Sequence, residues 1–272
     1  HTVTITEEAS INQLIVQANG NLIFSNIYVY FNVRNAGGFI RIDNGCSING
    51  GTSNSHIRFL DPYDQQLIVN GTIINLNRLY FTNLNKTVTI SGNGQISLKS
   101  YMRFYTNDGI RVINNLTGLF TIGGGILFEN DVCEFVNNGN VTVNNPVSST
   151  DDDNKITNNI GASLSIISDI DFNFRRFVID NYGNITLAGN FMDIQVNEVQ
   201  VNNRAGVFAW GGSSYDSDLK LYCNFDPNEF RYVRAGDQPV ITPVDNYMDL
   251  SLAGTGIKTL RNNITIKNNL SM

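Results

Sequence analysis

Two groups of acidic residues are the first candidates for chemistry in this sequence. Asp151, Asp152 and Asp153 are consecutive, and Asp216 and Asp218 lie in a glycine- and serine-rich stretch. Calcium prefers clustered carboxylate oxygens, so either group would suit a structural calcium ion. Neither spacing matches an EF-hand loop, and a solvated acidic turn explains both groups. We therefore assign no metal ligand here and keep calcium as the alternative.

An alternating polar segment is the second candidate. Asp169, Asp171, Asn173 and Arg175 alternate with apolar residues, so a strand would place these four side chains on one face. A polysaccharide lyase or hydrolase would carry its carboxylates on such a face. An ordinary solvated surface shows the same alternation. We expect no catalysis from this row and assign no catalytic or cofactor-binding residue.

Other residues capable of chemistry are sparse. The two histidines, His1 and His56, are far apart, and the chain has no HExxH, GxSxG, P-loop or dinucleotide-binding motif. Trp210 could form a sugar platform, although packing is the simpler role for a single tryptophan. Outward threonines would suit an ice-binding face, but we expect them not to align through many turns.

The three cysteines, Cys46, Cys133 and Cys223, have no close partners in the sequence. Cys133 and Cys223 are separated by about four repeats of the pattern described below. At roughly 4.8 Å per repeat this is about 19 Å, which is too far for a disulfide. We expect three buried thiols that pack as small apolar side chains.

Composition favours many short strands joined by tight turns. Only 15% of the residues are charged, and the 42% hydrophobic fraction is large enough for a core. Asparagine and glycine favour turns, because both tolerate left-handed backbone conformations, whereas isoleucine, valine and threonine favour strands. The net charge is −6, and lysine and arginine are scattered singly along the chain. We therefore expect no nucleic acid partner, and no apolar run is long enough for membrane insertion.

A repeat organises the whole chain. Alternating apolar residues are followed by asparagine and glycine, as in residues 135–143 and 177–187. The turn glycines recur every 21 to 26 residues, at Gly20, Gly45, Gly71, Gly94, Gly118, Gly139, Gly161, Gly183 and Gly206. A β-sandwich places turns every 8–12 residues and has no such long register. The repeat predicts an all-β, right-handed parallel β-helix of about 12 rungs of roughly 23 residues.

A phenylalanine ladder supports the stacking of these repeats. Phe81, Phe104 and Phe128 each follow their glycine by ten residues, and Phe172 follows Gly161 by eleven. Equivalent apolar residues that stack between neighbouring repeats make the continuous core of a solenoid. Within each strand the side chains alternate, so Ile185 and Leu187 should point inward and Thr186 outward.

The pattern predicts one solenoid domain over residues 1–272, with two interruptions. Residues 144–155 are predicted to form an acidic loop insertion. Residues 211–247 hold three of the five prolines and are predicted to be irregular rungs or a lateral excursion. Because the pattern is still running at Met272, we expect the chain to be a piece of a longer protein.

The C-terminal region carries a resemblance to a known family. Residues 250–260, LSLAGTGIKTL, are followed by Asn263-Ile264-Thr265-Ile266. Together they resemble the LTLSGTGTKTL…NITI segments of large Bacteroidetes surface proteins, which include gliding-motility adhesins exported by type IX secretion. Ala253 and Ile257 depart from those segments. The opening HTVTIT with Ile11 to Val16 is similar to the start of their solenoid regions. No catalytic residues carry over, because the family's repeats have none.

Together these features predict a non-catalytic structural or adhesive solenoid, such as a stalk or adhesin segment. The resemblance implies an extracellular or cell-surface location. It also implies surface glycans or other surface proteins as partners, and export by secretion machinery through the parent chain. The alternatives are a β-helix carbohydrate-active enzyme or polysaccharide-binding module, and a phage tail-fibre-like protein.

Overall fold

The computed structural model describes ten segments of the chain, with residues 28–31 described by their backbone. The segments are residues 1–25, 28–34, 36–52, 54–60, 62–82, 85–105, 109–130, 132–172, 176–192 and 199–272. Within them all regular structure is β-strand, in 34 strands. The predicted all-β class is confirmed.

Three long parallel sheets contain nearly all of these strands. Sheet A has 13 strands: β1 (Thr2–Ile5), β4 (Asn21–Phe24), β7 (Ser47–Asn49), β10 (Thr72–Leu76), β13 (Gln95–Leu98), β16 (Leu119–Ile122), β19 (Asn140–Val143), β22 (Ser163–Ile166), β25 (Asn184–Leu187), β28 (Gly206–Trp210), β30 (Asn228–Tyr232), β32 (Tyr247–Leu252) and β34 (Ile266–Ser271). Sheet B has nine: β2 (Ala9–Ile11), β5 (Tyr28–Val33), β8 (Asn54–Phe59), β11 (Arg78–Thr82), β14 (Tyr101–Tyr105), β17 (Gly125–Phe128), β20 (Val147–Ser149), β23 (Ile170–Phe172) and β26 (Phe191–Met192). Sheet C has ten: β3 (Gln13–Val16), β6 (Phe39–Ile42), β9 (Gln65–Val69), β12 (Thr87–Gly92), β15 (Arg111–Leu116), β18 (Glu134–Asn137), β21 (Asn154–Asn158), β24 (Phe177–Asn181), β27 (Val199–Asn203) and β29 (Lys220–Tyr222).

The order of the strands makes the chain a three-sided coil. From β1 to β28, consecutive strands enter sheets A, B and C in turn, and each pairs in parallel with the strand one turn earlier. The coil has about 11 turns, roughly 23 residues apart, so the predicted β-solenoid is confirmed. A short fourth sheet of β31 (Gln238–Val240) and β33 (Lys258–Leu260) lies near its C-terminal end.

The core is a set of stacked apolar columns. Ile185 and Leu187 are buried and Thr186 is exposed, as the alternation predicts. Phe81, Phe104 and Phe128 stand in register on neighbouring sheet B strands, and their ring centroids are 5.3 and 4.5 Å apart. The predicted phenylalanine ladder is therefore confirmed. It extends one turn earlier, to Phe59.

One position in this ladder is filled from another sheet. Ser149 occupies the register position between Phe128 and Phe172. Phe177, on sheet C, packs edge-on against Phe128 at 5.3 Å and stacks on Phe172 at 4.0 Å. The smaller serine leaves room for this ring, so the aromatic column continues without a gap.

Close packing of the backbone explains most of the turn glycines. Left-handed backbone was the expected reason, yet of the nine only Gly45, Gly161 and Gly206 have a positive φ. At Gly94 a Cβ would collide with the carbonyl oxygen of Gly71, one turn earlier, and at Gly118 with that of Gly94. The turns stack so tightly here that no side chain fits.

Buried asparagines form a second ladder where sheet C meets sheet A. Each Nδ2 donates to the Oδ1 of the next residue at 2.8–2.9 Å, along Asn114, Asn137, Asn158, Asn181 and Asn203. Asn137 and Asn158 also donate to backbone carbonyls of sheet A strands, those of Ser163 and Asn184. These asparagines therefore join sheets C and A along one corner of the coil.

Both predicted interruptions contain strands of the coil. Within 144–155, β20 stands in register with β17 and β23, and the acidic residues occupy the turn that follows. Within 211–247, β29 pairs with β27 and β30 pairs with β28. Tyr232 and Tyr247 are buried there, with their hydroxyl oxygens 2.8 Å apart. Burial raises the pKa of both hydroxyls.

The segment that carries the family resemblance forms a turn near the C-terminal end. Leu250 is buried in sheet A, and Gly254 and Gly256 have positive φ values of 86° and 84°. The Lys258 ammonium donates to the carbonyl of Arg234 at 2.9 Å and more distantly to those of Gly236 and Thr255. The glycines and the lysine therefore shape this turn.

Candidate functional site

The outer face of sheet B carries a cluster of arginines and tyrosines. Strands β8, β11 and β14 bury Phe59, Phe81 and Phe104, and their alternate side chains point outward. The outward residues form what we call the sheet B patch: Arg58, Arg78, Tyr80, Tyr101, Arg103 and Tyr105. Sheet register places Tyr80 between Arg58 and Arg103, one from each neighbouring turn.

Cation–π contacts connect these side chains. The Arg103 guanidinium carbon lies 4.9 Å from the centre of the Tyr80 ring and 5.1 Å from that of Tyr105. Arg58 lies 5.7 Å from the Tyr80 ring, and Arg78 lies 5.8 Å from the Tyr101 ring. Such contacts hold the guanidinium groups beside the aromatic faces.

Arg103 is fixed by a carboxylate. It makes two parallel hydrogen bonds to Glu129 and also donates to the Tyr80 hydroxyl. Burial alone would lower the pKa of Arg103, but hydrogen bonding to Glu129 and its negative charge raise that pKa above the usual value. Burial raises the pKa of Tyr80, so both groups hold their protons at neutral pH.

Arg78 has a different environment. Within the described part of the chain it belongs to no ion pair, and its buried Nε has no hydrogen-bond partner. Tyr101 lies beside it, and 36% of the Tyr101 surface is exposed, as is 50% of the Tyr105 surface. The patch therefore presents, next to accessible aromatic rings, a guanidinium that pairs with no carboxylate of the described residues.

His56 stands in register with Arg78 on the neighbouring strand and is almost fully buried, with 4% of its surface exposed. Burial, together with the charges of Arg78, Arg58 and Arg103, lowers its pKa to about 4. Asn77 Nδ2 lies 3.3 Å from His56 Nε2 and is the donor when Nε2 is unprotonated. The imidazole is therefore neutral at pH 7, which allows three guanidinium groups to gather around it.

The depressed pKa of His56 predicts a pH dependence of stability. The unfolded chain takes up this proton near the ordinary value of 6.5, whereas the folded chain resists it down to about 4. The free energy of unfolding should therefore fall as the pH drops through this window, by up to about 3 kcal/mol. Urea unfolding of the wild type and of His56→Gln would measure this loss, which the variant should lack. The exposed His1 provides the control variant His1→Gln. If the free energy of unfolding changed equally with pH in the wild type and in His56→Gln, His56 would not be the cause of the pH dependence.

The sequence expectation of scattered basic residues is wrong at this face. Arg58 and Arg103 are two turns apart in the chain, and Tyr80 stands between them in register. A coil brings together residues that are one turn apart, so single charges in sequence become a column in space. Tyr80 and Arg103 each follow their turn glycine by nine residues, whereas Arg58 follows Gly45 by thirteen, so the glycine period marks only part of the column.

The acidic triplet forms a turn. Asp153 pairs with Arg176 at 2.7 Å, and the carbonyl of Asp151 accepts hydrogen bonds from Ser149 and Asn154. Asp216 Oδ1 accepts from the Asp218 amide at 3.0 Å, which closes another turn. Across the described segments, no three His, Cys, Asp or Glu side chains gather as a metal site would require.

The alternating row proposed for catalysis is described only in part. Asp169 Oδ1 accepts a hydrogen bond from the backbone amide of Asn190 at 2.6 Å, so this carboxylate orders a turn. Asp171 stands on β23 in register with Ser148. Asn173 and Arg175 lie outside the described residues.

Trp210 and the cysteines are buried. Trp210 is 0% exposed, and its Nε1 donates to the Gly189 carbonyl at 3.0 Å, so it packs in the core and presents no sugar platform. Cys46, Cys133 and Cys223 are buried, as expected, and form no disulfide with one another. Burial raises the pKa of the Cys223 thiol well above its usual value.

A row of hydroxyls lies on the outer face of sheet A. Residues of five consecutive strands stand in register: Ser97, Thr121, Thr142, Ser165 and Thr186. The expectation concerned threonines aligned through many turns; here only Thr121 and Thr142 are neighbouring threonines, and serines extend the row. Most of the row follows its turn glycine by three residues, so the glycine period also marks it. Ala209 ends it on the next strand.

Comparison with known proteins gives no relative: no protein-family model, no curated protein and no solved structure matches this chain. Its described residues also contain no helix with the length and apolar character needed to cross a bilayer.

Proposed function

We propose that this chain is a non-catalytic structural or adhesive solenoid of a secreted or cell-surface protein. The sheet B patch is the observation that carries the proposal. Its arginines and tyrosines lie on the outer face of a continuous sheet, where they can contact an extended partner. Catalysis requires groups that converge on one reacting atom in a site sheltered from water. A flat face of fixed cations and rings is better suited to binding.

The architecture supports a role as a stalk or adhesin. Stacked turns make a rigid rod, and side chains on its strands keep fixed distances from one another. The resemblance of residues 250–266 to Bacteroidetes surface proteins supports export by type IX secretion through the parent chain, and gliding adhesion as the setting. Surface glycans or other surface proteins are the partners that we propose.

A turnover assay tests the non-catalytic part of the proposal. The chain is incubated with pectin, alginate and a neutral glycan, and the release of reducing ends and unsaturated products is followed. We expect no product beyond the rate in buffer, because the carboxylate of Asp169 orders a turn.

Saturable product release that is lost in Asp171→Ala would overturn the proposal in favour of a β-helix carbohydrate-active enzyme. Asp218→Ala is the matched control, since this exposed aspartate lies on another turn of the coil. Activity lost in both variants, with both folds intact, would equally contradict a non-catalytic role.

A further inference from the structure

We propose that the sheet B patch binds an acidic polysaccharide through its carboxylate groups. This inference rests on the proposed adhesive function and names the ligand class and the face that binds it. The patch consists of Arg58, Arg78, Tyr80, Tyr101, Arg103 and Tyr105.

Charge at the patch is opposite in sign to that of the whole chain. The net charge of the protein is −6, yet three guanidinium groups meet here, and Glu129 pairs with that of Arg103. His56, which stands in register with Arg78, is neutral at pH 7. The local excess of positive charge suits an anionic ligand, and guanidinium groups bind carboxylates with two parallel hydrogen bonds.

Arg78 is the side chain best placed to bind a ligand carboxylate. Arg103 is already occupied by Glu129, whereas Arg78 has no ion-pair partner among the described residues. Its guanidinium lies over the Tyr101 ring, which holds it without neutralising its charge.

The exposed tyrosine rings suit the sugar itself. Tyr105 and Tyr101 are 50% and 36% exposed. The C–H faces of a pyranose ring are apolar and stack on aromatic rings. The hydroxyl groups lie at the edge of the sugar ring and stay hydrated. A ligand that offers a carboxylate to arginine and an apolar ring face to tyrosine is an acidic sugar.

The repeat of the coil matches a polymer. Arg58, Tyr80 and Arg103 stand on three successive strands, which are about 4.8 Å apart in a sheet. A pyranose unit has a similar length, so a chain lying along the coil axis meets a new turn with each sugar. Nucleic acid carries a higher charge density and is repelled more strongly by a protein of net charge −6.

Binding of galacturonate oligosaccharides, measured by titration calorimetry, tests the inference. The fully methyl-esterified oligosaccharide keeps the sugar rings and removes the charge. We expect saturable binding of the acid form, at least about tenfold weaker binding of the ester, and weaker binding as salt is raised. Arg78→Gln and Tyr105→Ala should each weaken binding of the acid form by about tenfold, while thermal unfolding shows that both variants remain folded.

Arg111→Gln is the matched control, because Arg111 lies on sheet C and pairs with Glu134 at 2.9 Å. An equal loss in this variant would overturn the inference in favour of general charge attraction. Absence of binding to the acid form would also overturn it, while leaving the non-catalytic role to be judged by turnover. Tighter binding of a DNA duplex of matched charge would show that the face recognises nucleic acid.

Discussion

Truncation of Phe104 to alanine is expected to lower the free energy of unfolding by about 3–5 kcal/mol, the usual cost of deleting a buried aromatic side chain. Phe104 is 0% exposed and stacks between Phe81 and Phe128, with ring centroids 5.3 and 4.5 Å away. Because its neighbours stand on rigid strands of adjacent turns, the cavity cannot collapse easily. Urea unfolding followed by circular dichroism would measure the loss.

Two further variants separate packing from strand propensity. Phe104→Leu keeps an apolar side chain and should cost less, about 1–2 kcal/mol. Leu119→Ala shortens a strand residue that is 48% exposed and should change stability by less than about 1 kcal/mol. If Phe104→Ala cost no more than Leu119→Ala, the aromatic column would not be the core of the coil.

Replacement of Asn137 is expected to cause the second large loss of stability. Replacement by alanine should cost about 2–4 kcal/mol, because it removes the middle of the buried ladder and leaves polar groups without partners. Its Nδ2 donates to Asn158 Oδ1 and to the carbonyls of Gly139 and Ser163, at 2.9, 3.1 and 3.1 Å. Its Oδ1 accepts from Asn114 Nδ2 and from the Gly139 amide.

The adjacent Asn138 provides a matched control. It also belongs to a ladder, donating to Asn115 Oδ1 at 2.7 Å and accepting from Asn159 Nδ2 at 2.6 Å, but it is exposed. Water can replace these bonds, so Asn138→Ala should cost less than about 1 kcal/mol. Equal losses in Asn137→Ala and Asn138→Ala, measured by urea unfolding, would show that burial of the ladder adds nothing to stability.

The turn asparagines show how a correct prediction can have a different physical reason. Their recurrence was expected to reflect left-handed turns, but of the described asparagines only Asn19 and Asn75 have a positive φ. Hydrogen bonds between turns explain several of the others, as at Asn158 and Asn181. A pattern along one strand indicates where turns occur, whereas the partner of each amide lies a full turn away.

The candidate site was harder to predict than the fold. The acidic groups and the Asp169 row are candidates because their members are close in sequence, but in the structure Asp153 pairs with Arg176 and Asp169 orders a turn. The sequence alone does not indicate the sheet B patch, because Arg58, Tyr80 and Arg103 are separated by whole turns of the coil. The register of neighbouring strands brings them together.

The sequence by itself determined the solenoid, its period of about 23 residues, the inward phenylalanine column and the buried cysteines. Alternation along a strand and recurrence of glycine are local features, and stacking is the arrangement that buries every repeat. Only the tertiary structure decided which outward side chains become neighbours. Small differences in the length of each turn set the register between strands, and that register places Arg58 and Arg103 on either side of Tyr80.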